Sequence, residues 1–201
     1  MTLIQKKEKG NSLYSHHNLV MFGYFNSTVT IPEFWTKFSK FNIRNFLDKI
    51  PEPNGGTDLN KAIRYSTDTL LSHDMYSYEN KICILTDGRF NSSVIEESNK
   101  AKGFGIKIYA IYIKRNSSTS RNKLLDDITT NGYLTCNNVN NLWKSLSKNN
   151  FLTTTSNKPN RTVFLLDISA SMRSDFNLAK KSLTKFFVYQ RSLFNNSKNR
   201  R

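Results

Sequence analysis

Three polar strings in this chain have residue types that can do chemistry: Asp167-Ile-Ser169-Ala-Ser171, Gly55-Gly56-Thr57-Asp58 and Thr86-Asp87-Gly88. Asp167, Asp87, Ser169, Ser171 and Thr57 offer carboxylate and hydroxyl oxygens, all hard donors. Mg²⁺ or Mn²⁺ gathers such donors into an octahedral shell, holding some directly and others through water. Two of the strings follow the apolar runs Val163-Phe-Leu-Leu166 and Ile82-Cys-Ile-Leu85. Those runs read as buried parallel strands, and open α/β sheets bind ligands at the carboxyl ends of such strands. Taken singly, each string also reads as a helix cap or a turn. Taken jointly, they predict one divalent-metal site, with Gly55, Gly56, Asp58 and Gly88 shaping the surface where a ligand would sit.

Catalytic chemistry fits these residues poorly, and the chain is read as a non-enzyme. A serine nucleophile at Ser169 or Ser171 needs a histidine base, but His16, His17 and His73 are the only histidines, and no Gly-x-Ser-x-Gly elbow surrounds either serine. An aspartate that accepts a phosphoryl group at Asp167 would be expected to have a second Asp two residues on, where Ser169 stands. Gly55-Gly56-Thr57 lacks the lysine of a P-loop, and Gly103 and Gly105 precede a strand, so they form no dinucleotide fingerprint.

The elements that must position the strings follow from hydrophobic spacing. Asn18 to Phe25 reads as a strand, and Val29-Thr-Ile31 as its hairpin partner, held to the sheet edge by Pro32. Leu59, Ala62, Ile63, Ser66 and Leu70 fall at helical spacing, with Thr57 or Asp58 as the cap. Ile82 to Leu85, a helix from Val94 to Lys102 ending at Gly103, and Ile106 to Ile113 form a β-α-β unit with a parallel pair. Leu124, Leu125 and Ile128 predict a short amphipathic turn, and Val139, Leu142, Trp143 and Leu146 a further helix. Residues 149–160 read as a linker. Val163 to Leu166 then reads as a central strand. A helix follows, with Phe176, Ala179, Leu183, Phe186 and Phe187 on one stripe, and the composition predicts a frayed tail from Asn195. The fold class is a three-layer α/β domain, its sheet mostly parallel with one antiparallel edge strand.

The chain has 201 residues and 37% hydrophobic content, enough for one full core and too few for two α/β domains of ordinary size. No stretch reaches the roughly 18 apolar residues of a membrane span, and Met1-Thr-Leu-Ile-Gln-Lys-Lys lacks the apolar centre of a signal peptide. The net charge of +15 would attract acidic or phosphate-rich partners. Its lysines are spread along the whole chain beside 25 asparagines, so compositional bias explains them better than a nucleic-acid face does. Cys83 lies inside an apolar run and Cys136 stands alone, so no disulfide framework is expected. Sequons at Asn26, Asn91, Asn116, Asn160 and Asn195 occur about as often as chance allows in so Asn-rich a chain and do not fix the compartment.

With Asp-x-Ser-x-Ser, Gly-Gly-Thr before a helix and Thr-Asp-Gly after a strand, the chain resembles the von Willebrand factor type A, or integrin inserted-domain, family. These strings are similar to that family's metal-ion-dependent adhesion site. The resemblance covers most of residues 15 to 190, including Gly105 to Tyr112 as a further family strand. It implies a Rossmann-like fold and a Mg²⁺ or Mn²⁺ ion held directly by Ser169 and Ser171. Thr57 would bind directly when ligand is present, and Asp167 and Asp87 mainly through water. It further implies a protein partner whose acidic side chain fills the open coordination position, with the Val139 to Leu146 helix shifting as the site changes state. An extracellular or cell-surface setting is slightly favoured on the same ground.

The order of elements departs from the family, because the Asp-x-Ser-x-Ser strand comes last here and first there. Residues 15–148 would run from the family's second strand to its last helix, 149–160 would be the linker, and 161–192 would supply the first strand and first helix. Either one domain is circularly permuted, or the chain spans the end of one tandem module and the start of the next. A linker of this length reaches roughly 20 Å as a coil and about 40 Å when stretched, so closure into one domain is easy. The rival readings are a metal-independent scaffold with a degenerate site and an electrostatic binder of polyanions.

Overall fold

The computed structural model describes residues 18–32, 35–72, 77–113, 122–136 and 158–198. In chain order the elements are β1 (Leu19–Phe25), β2 (Val29–Thr30), β3 (Thr36–Lys37), α1 (Ile43–Lys49), α2 (Leu59–Leu71), β4 (Glu79–Thr86), α3 (Val94–Gly103), β5 (Lys107–Ile113), α4 (Lys123–Ile128), β6 (Leu134–Cys136), β7 (Asn160–Asp167) and α5 (Phe176–Lys198). Short 3-10 turns cover Phe38–Lys40 and Ala170–Ser174. Among the described residues no helix is long and apolar enough to cross a membrane.

One sheet runs in the order β2-β1-β7-β4-β5-β6, with β3 also paired to β1. The last strand in sequence therefore lies in the middle. β7 pairs in parallel with β1, Phe22 opposite Phe164, and in parallel with β4, Cys83 opposite Phe164. If β7 is counted as strand one, the order becomes 3-2-1-4-5-6, that of a doubly wound sheet. Chain direction across the sheet then switches between β7 and β4, and ligands gather at the carboxyl ends of the strands beside such a switch point.

The two faces of the sheet carry separate cores because side chains alternate along each strand. On one face Phe22, Phe164, Leu166, Cys83 and Leu85 pack against α1 and α5. Aromatic rings dominate there. Phe22 stacks on Phe164 with centroids 4.6 Å apart and planes 2° off parallel, and Phe187 of α5 meets Phe164 edge-on at 5.7 Å. On the other face Met21, Ile82, Ile84, Val163 and Leu165 pack against α2, α3 and α4. This makes three layers, as the sequence predicts.

The antiparallel edge is divided into β2 and β3, both paired to β1, with Pro32 in the gap between them. Proline cannot donate to a ladder, so the edge strand breaks there. β3, α1 and β6 are not legible in the hydrophobic pattern: the two strands are two and three residues long, and α1 rests on the Asn42 cap and two buried residues, Ile43 and Leu47. The frayed tail expected from Asn195 is replaced by helix as far as Lys198. The expected Val139 to Leu146 helix lies outside the described residues, as does most of the 149–160 linker; Asn160 is already the first residue of β7.

Removing β7 would leave β1 and β4 with facing unpaired edges and strip both cores of their central row. A chain truncated after Lys158 should accordingly be insoluble or melt without cooperativity. A cooperative melt resembling that of the whole chain would show that the sheet does not depend on β7.

Candidate functional site

Asp167 ends β7 and is fully buried. Its Oδ2 accepts the Thr86 hydroxyl at 2.6 Å, and its Oδ1 accepts the Ser169 backbone N–H at 2.9 Å. Thr86 ends the neighbouring strand, β4, and its hydroxyl also accepts the Gly88 N–H at 3.1 Å. One threonine thus fixes the turn after β4 to the carboxylate after β7. Gly88 adopts φ +76°, a region that side chains rarely enter, and a Cβ there would lie 2.5 Å from Asn122 Nδ2.

Beyond Asp167 the chain bends into its 3-10 turn, and the nearly buried Ser169 places its hydroxyl 3.0 Å from that of Ser171. The Gly55 loop is fastened to this bend. Asn54 N–H donates to the Ile168 carbonyl at 2.9 Å, and Ala170 N–H donates to the Gly55 carbonyl at 3.0 Å. Asn26, in the β1–β2 turn, braces the loop from outside, its carbonyl accepting Asp58 N–H at 2.7 Å and its Nδ2 donating to Asn54 Oδ1 at 2.9 Å. Gly55 takes φ +69° to make the turn. Asp58 then caps α2 through the Lys61 N–H, as one of the two expected cap residues.

The structure therefore links the Asp167, Ser169 and Ser171 segment to Gly55 on one side and to Thr86 and Gly88 on the other. Gly56, Thr57 and Asp58 line an adjoining cavity of about 430 Å³, together with Asn60, Phe90 and Asn91. Asp87 accepts the Arg89 N–H on Oδ1 and has the Arg89 Nε 3.6 Å from Oδ2. The sequence reading leaves out the hydrogen-bonding roles of Thr86 and Asn26. Thr86 lies within one of the three strings, whereas Asn26 reads only as a turn residue.

Burial pushes the Asp167 carboxyl up to about 6; hydrogen bonds from Thr86 and Ser169 oppose the rise, and the Asp87 charge adds to it. Among the described residues no Lys, Arg or His pairs with it at ion-pair distance. The donor set suits a hard cation. The Ser169 and Ser171 hydroxyls are hydrogen-bonded to each other at 3.0 Å, a separation that two neighbouring oxygens about 2.1 Å from an octahedral Mg²⁺ would also have. Among the described residues no group of three or more His, Cys, Asp or Glu side chains could hold a metal. Any ion here would depend on hydroxyls beside the two carboxylates.

A carboxyl raised in the folded state contributes stability below its unfolded value of 3.8, and that contribution is lost as pH rises through about 6. Asp167→Asn mimics the protonated form, and its amide can still accept from Ser169 N–H while donating to the Thr86 oxygen. In chelator at pH 7.5 the variant should melt above the parent by an amount equivalent to a few kcal/mol, since each tenfold change in proton affinity is worth about 1.4 kcal/mol. The gap should close near pH 4. An Asn variant that melts at or below the parent temperature at pH 7.5 would contradict the stated charge burial.

The chain matches the model for the von Willebrand factor type A domain over residues 11–148. That span contains the Gly55 and Thr86 strings and ends before Asp167. No curated protein and no solved structure matches the chain. The matched span covers well over half of the sequence, and the doubly wound strand order agrees with it: the chain belongs to the von Willebrand factor type A family.

Proposed function

We propose that this domain is a protein-binding module that holds a Mg²⁺ or Mn²⁺ ion and uses it to capture an acidic side chain of a partner. Members of the family generally mediate protein–protein interactions. The observation that carries the finer reading is the buried Asp167, which has no basic partner among the described residues and stands beside two hydroxyls 3.0 Å apart. A cation would offset that buried charge. Ser169 and Ser171 would hold the ion directly and Thr57 would join them with ligand present, while Asp167 and Asp87 would act mainly through bound water. An ion held by these residues would supply Lewis acidity toward the carboxylate of a partner. Thr86 keeps Asp167 oriented, and the Asn54 and Gly55 bonds keep the Thr57 loop against the serines.

Thermal melting tests this reading. At a hundredfold excess over its dissociation constant an ion that binds only the native state adds about 2.7 kcal/mol, a rise of roughly 5–10 °C for a domain of this size. Mg²⁺ or Mn²⁺ should produce that rise and Asp167→Ala should abolish it. No shift with either ion at millimolar concentration would favour the metal-independent scaffold.

The net charge of +15 supports a second reading, electrostatic capture of a polyanion. The two respond oppositely. Metal-bridged binding should disappear in chelator and in Thr57→Ala while tolerating moderate salt. Binding that survives chelator but is lost between roughly 50 and 200 mM salt would establish the electrostatic reading instead.

A further inference from the structure

The end of the sheet opposite the candidate site buries reactive groups that the proposed function does not use. β4 and β7 both begin there with polar residues, Glu79-Asn80-Lys81 and Asn160-Arg161-Thr162. Glu79 lies opposite Asn160, and Lys81 opposite Thr162. Side chains alternate along a strand, and Cys83, Leu85, Phe164 and Leu166 face the core under α1 and α5, so Glu79, Lys81, Asn160 and Thr162 share that face. Lys81 is 1% exposed, and Asn160 and Thr162 are fully buried. The Glu79 carboxylate sits between two lysines, 2.5 Å from Lys107 Nζ and 3.6 Å from Lys81 Nζ. Its hydrogen bond raises the Lys107 amine, which therefore keeps its proton. Lys81 behaves oppositely: burial pushes its amine down to about 8, with the Glu79 charge opposing the fall and the Lys107 charge adding to it. A desolvated amine that can shed its proton is a nucleophile.

An electrophile stands within its reach. Asn160 is the diagonal neighbour of Lys81 across the β4–β7 ladder, roughly 7–8 Å away between Cα atoms, a span that a lysine stem and an asparagine side chain cover together. Neither Oδ1 nor Nδ2 of Asn160 has a hydrogen-bond partner among the described residues, an uncommon state for a buried amide. We propose that Lys81 and Asn160 form an isopeptide bond that ties β7 covalently to β4, with Glu79 carrying the proton. The neutral Lys81 Nζ attacks Asn160 Cγ. Glu79 takes a proton from that nitrogen and delivers it to Asn160 Nδ2, the Cγ–Nδ2 bond breaks, and ammonia leaves. A secondary amide replaces the amine and the primary amide, with no oxidant, reductant or cofactor. The reaction removes the amine whose charge is costly to bury and converts the unpartnered amide into a cross-link that holds the last strand in the middle of the sheet.

Mass spectrometry of the full chain under denaturing conditions tests the bond. After incubation at mildly alkaline pH the protein should weigh one ammonia less than its sequence, and trypsin should release a branched peptide that joins the segment containing Lys81 to the segment containing Asn160. Lys81→Met, which lacks the nucleophile, and Glu79→Gln, which lacks the proton carrier, should each keep the full mass. Should either variant fail to melt cooperatively, the branched peptide from the parent decides alone. A parent that keeps its full mass would overturn the bond. So would an ammonia loss that persists in Lys81→Met, as a succinimide at Asn54-Gly55 or Asn131-Gly132 would give. A branched peptide that forms equally well in Glu79→Gln would overturn the role of Glu79.

Discussion

The ladder that seats β7 between β1 and β4 is the constraint on which the rest of the structure depends. It closes the sheet, since β7 supplies the strand between the halves begun by β1 and β4. It also sets the site, because strand register determines which residues end side by side. Leu85 lies opposite Leu166, so Thr86 and Asp167 are adjacent at the carboxyl edge and the threonine hydroxyl reaches the carboxylate. A slip of one residue would turn Asp167 to the other face and place Phe164 in the wrong core. The stacked Phe22 and Phe164 rings, with Phe187 edge-on to both, oppose such a slip, since each fills space shaped by the other two. Packing on one face of the sheet thus holds the chemistry at its end.

Around that edge backbone geometry and electrostatics act together. The Asn54 and Gly55 backbone bonds to residues 168 and 170 bring a loop far away in sequence against the serines. Burial of Asp167, with no basic side chain at ion-pair distance among the described residues, makes its charge costly, which is a usual condition of sites that bind a cation or a proton. Family membership rests on residues 11–148, whereas Asp167, Ser169 and Ser171 lie beyond them. The sheet brings the two stretches into one layer.

The long elements were legible in the sequence because their patterns were unambiguous. Val163 to Leu166 read as a strand buried on both faces, and every residue of β7 is buried. Leu59, Ala62, Ile63 and Leu70 marked α2, and all four are in the core. The short elements were not legible, since β3 and β6 offer too few residues for alternation to register, and α1 contributes only Ile43 and Leu47 to the core. Of the site, residue types marked the three strings, but the hydrogen bonds that join them depend on strand register. The Thr86 link between strings therefore follows from the pairing of β4 with β7, and the Asn26 link from the packing of the hairpin turn against the Gly55 loop, neither of which residue type encodes.

In the proposed function, hydroxyls and carboxylates from the end of β7 and from two earlier loops would hold one divalent cation. An anomalous difference map from crystals grown with Mn²⁺ tests it most directly. The account predicts a single strong peak within bonding distance of both the Ser169 and Ser171 hydroxyls, with Asp167 and Asp87 close enough to reach it through water. A map with no peak there, or with manganese bound only elsewhere on the surface, would contradict it.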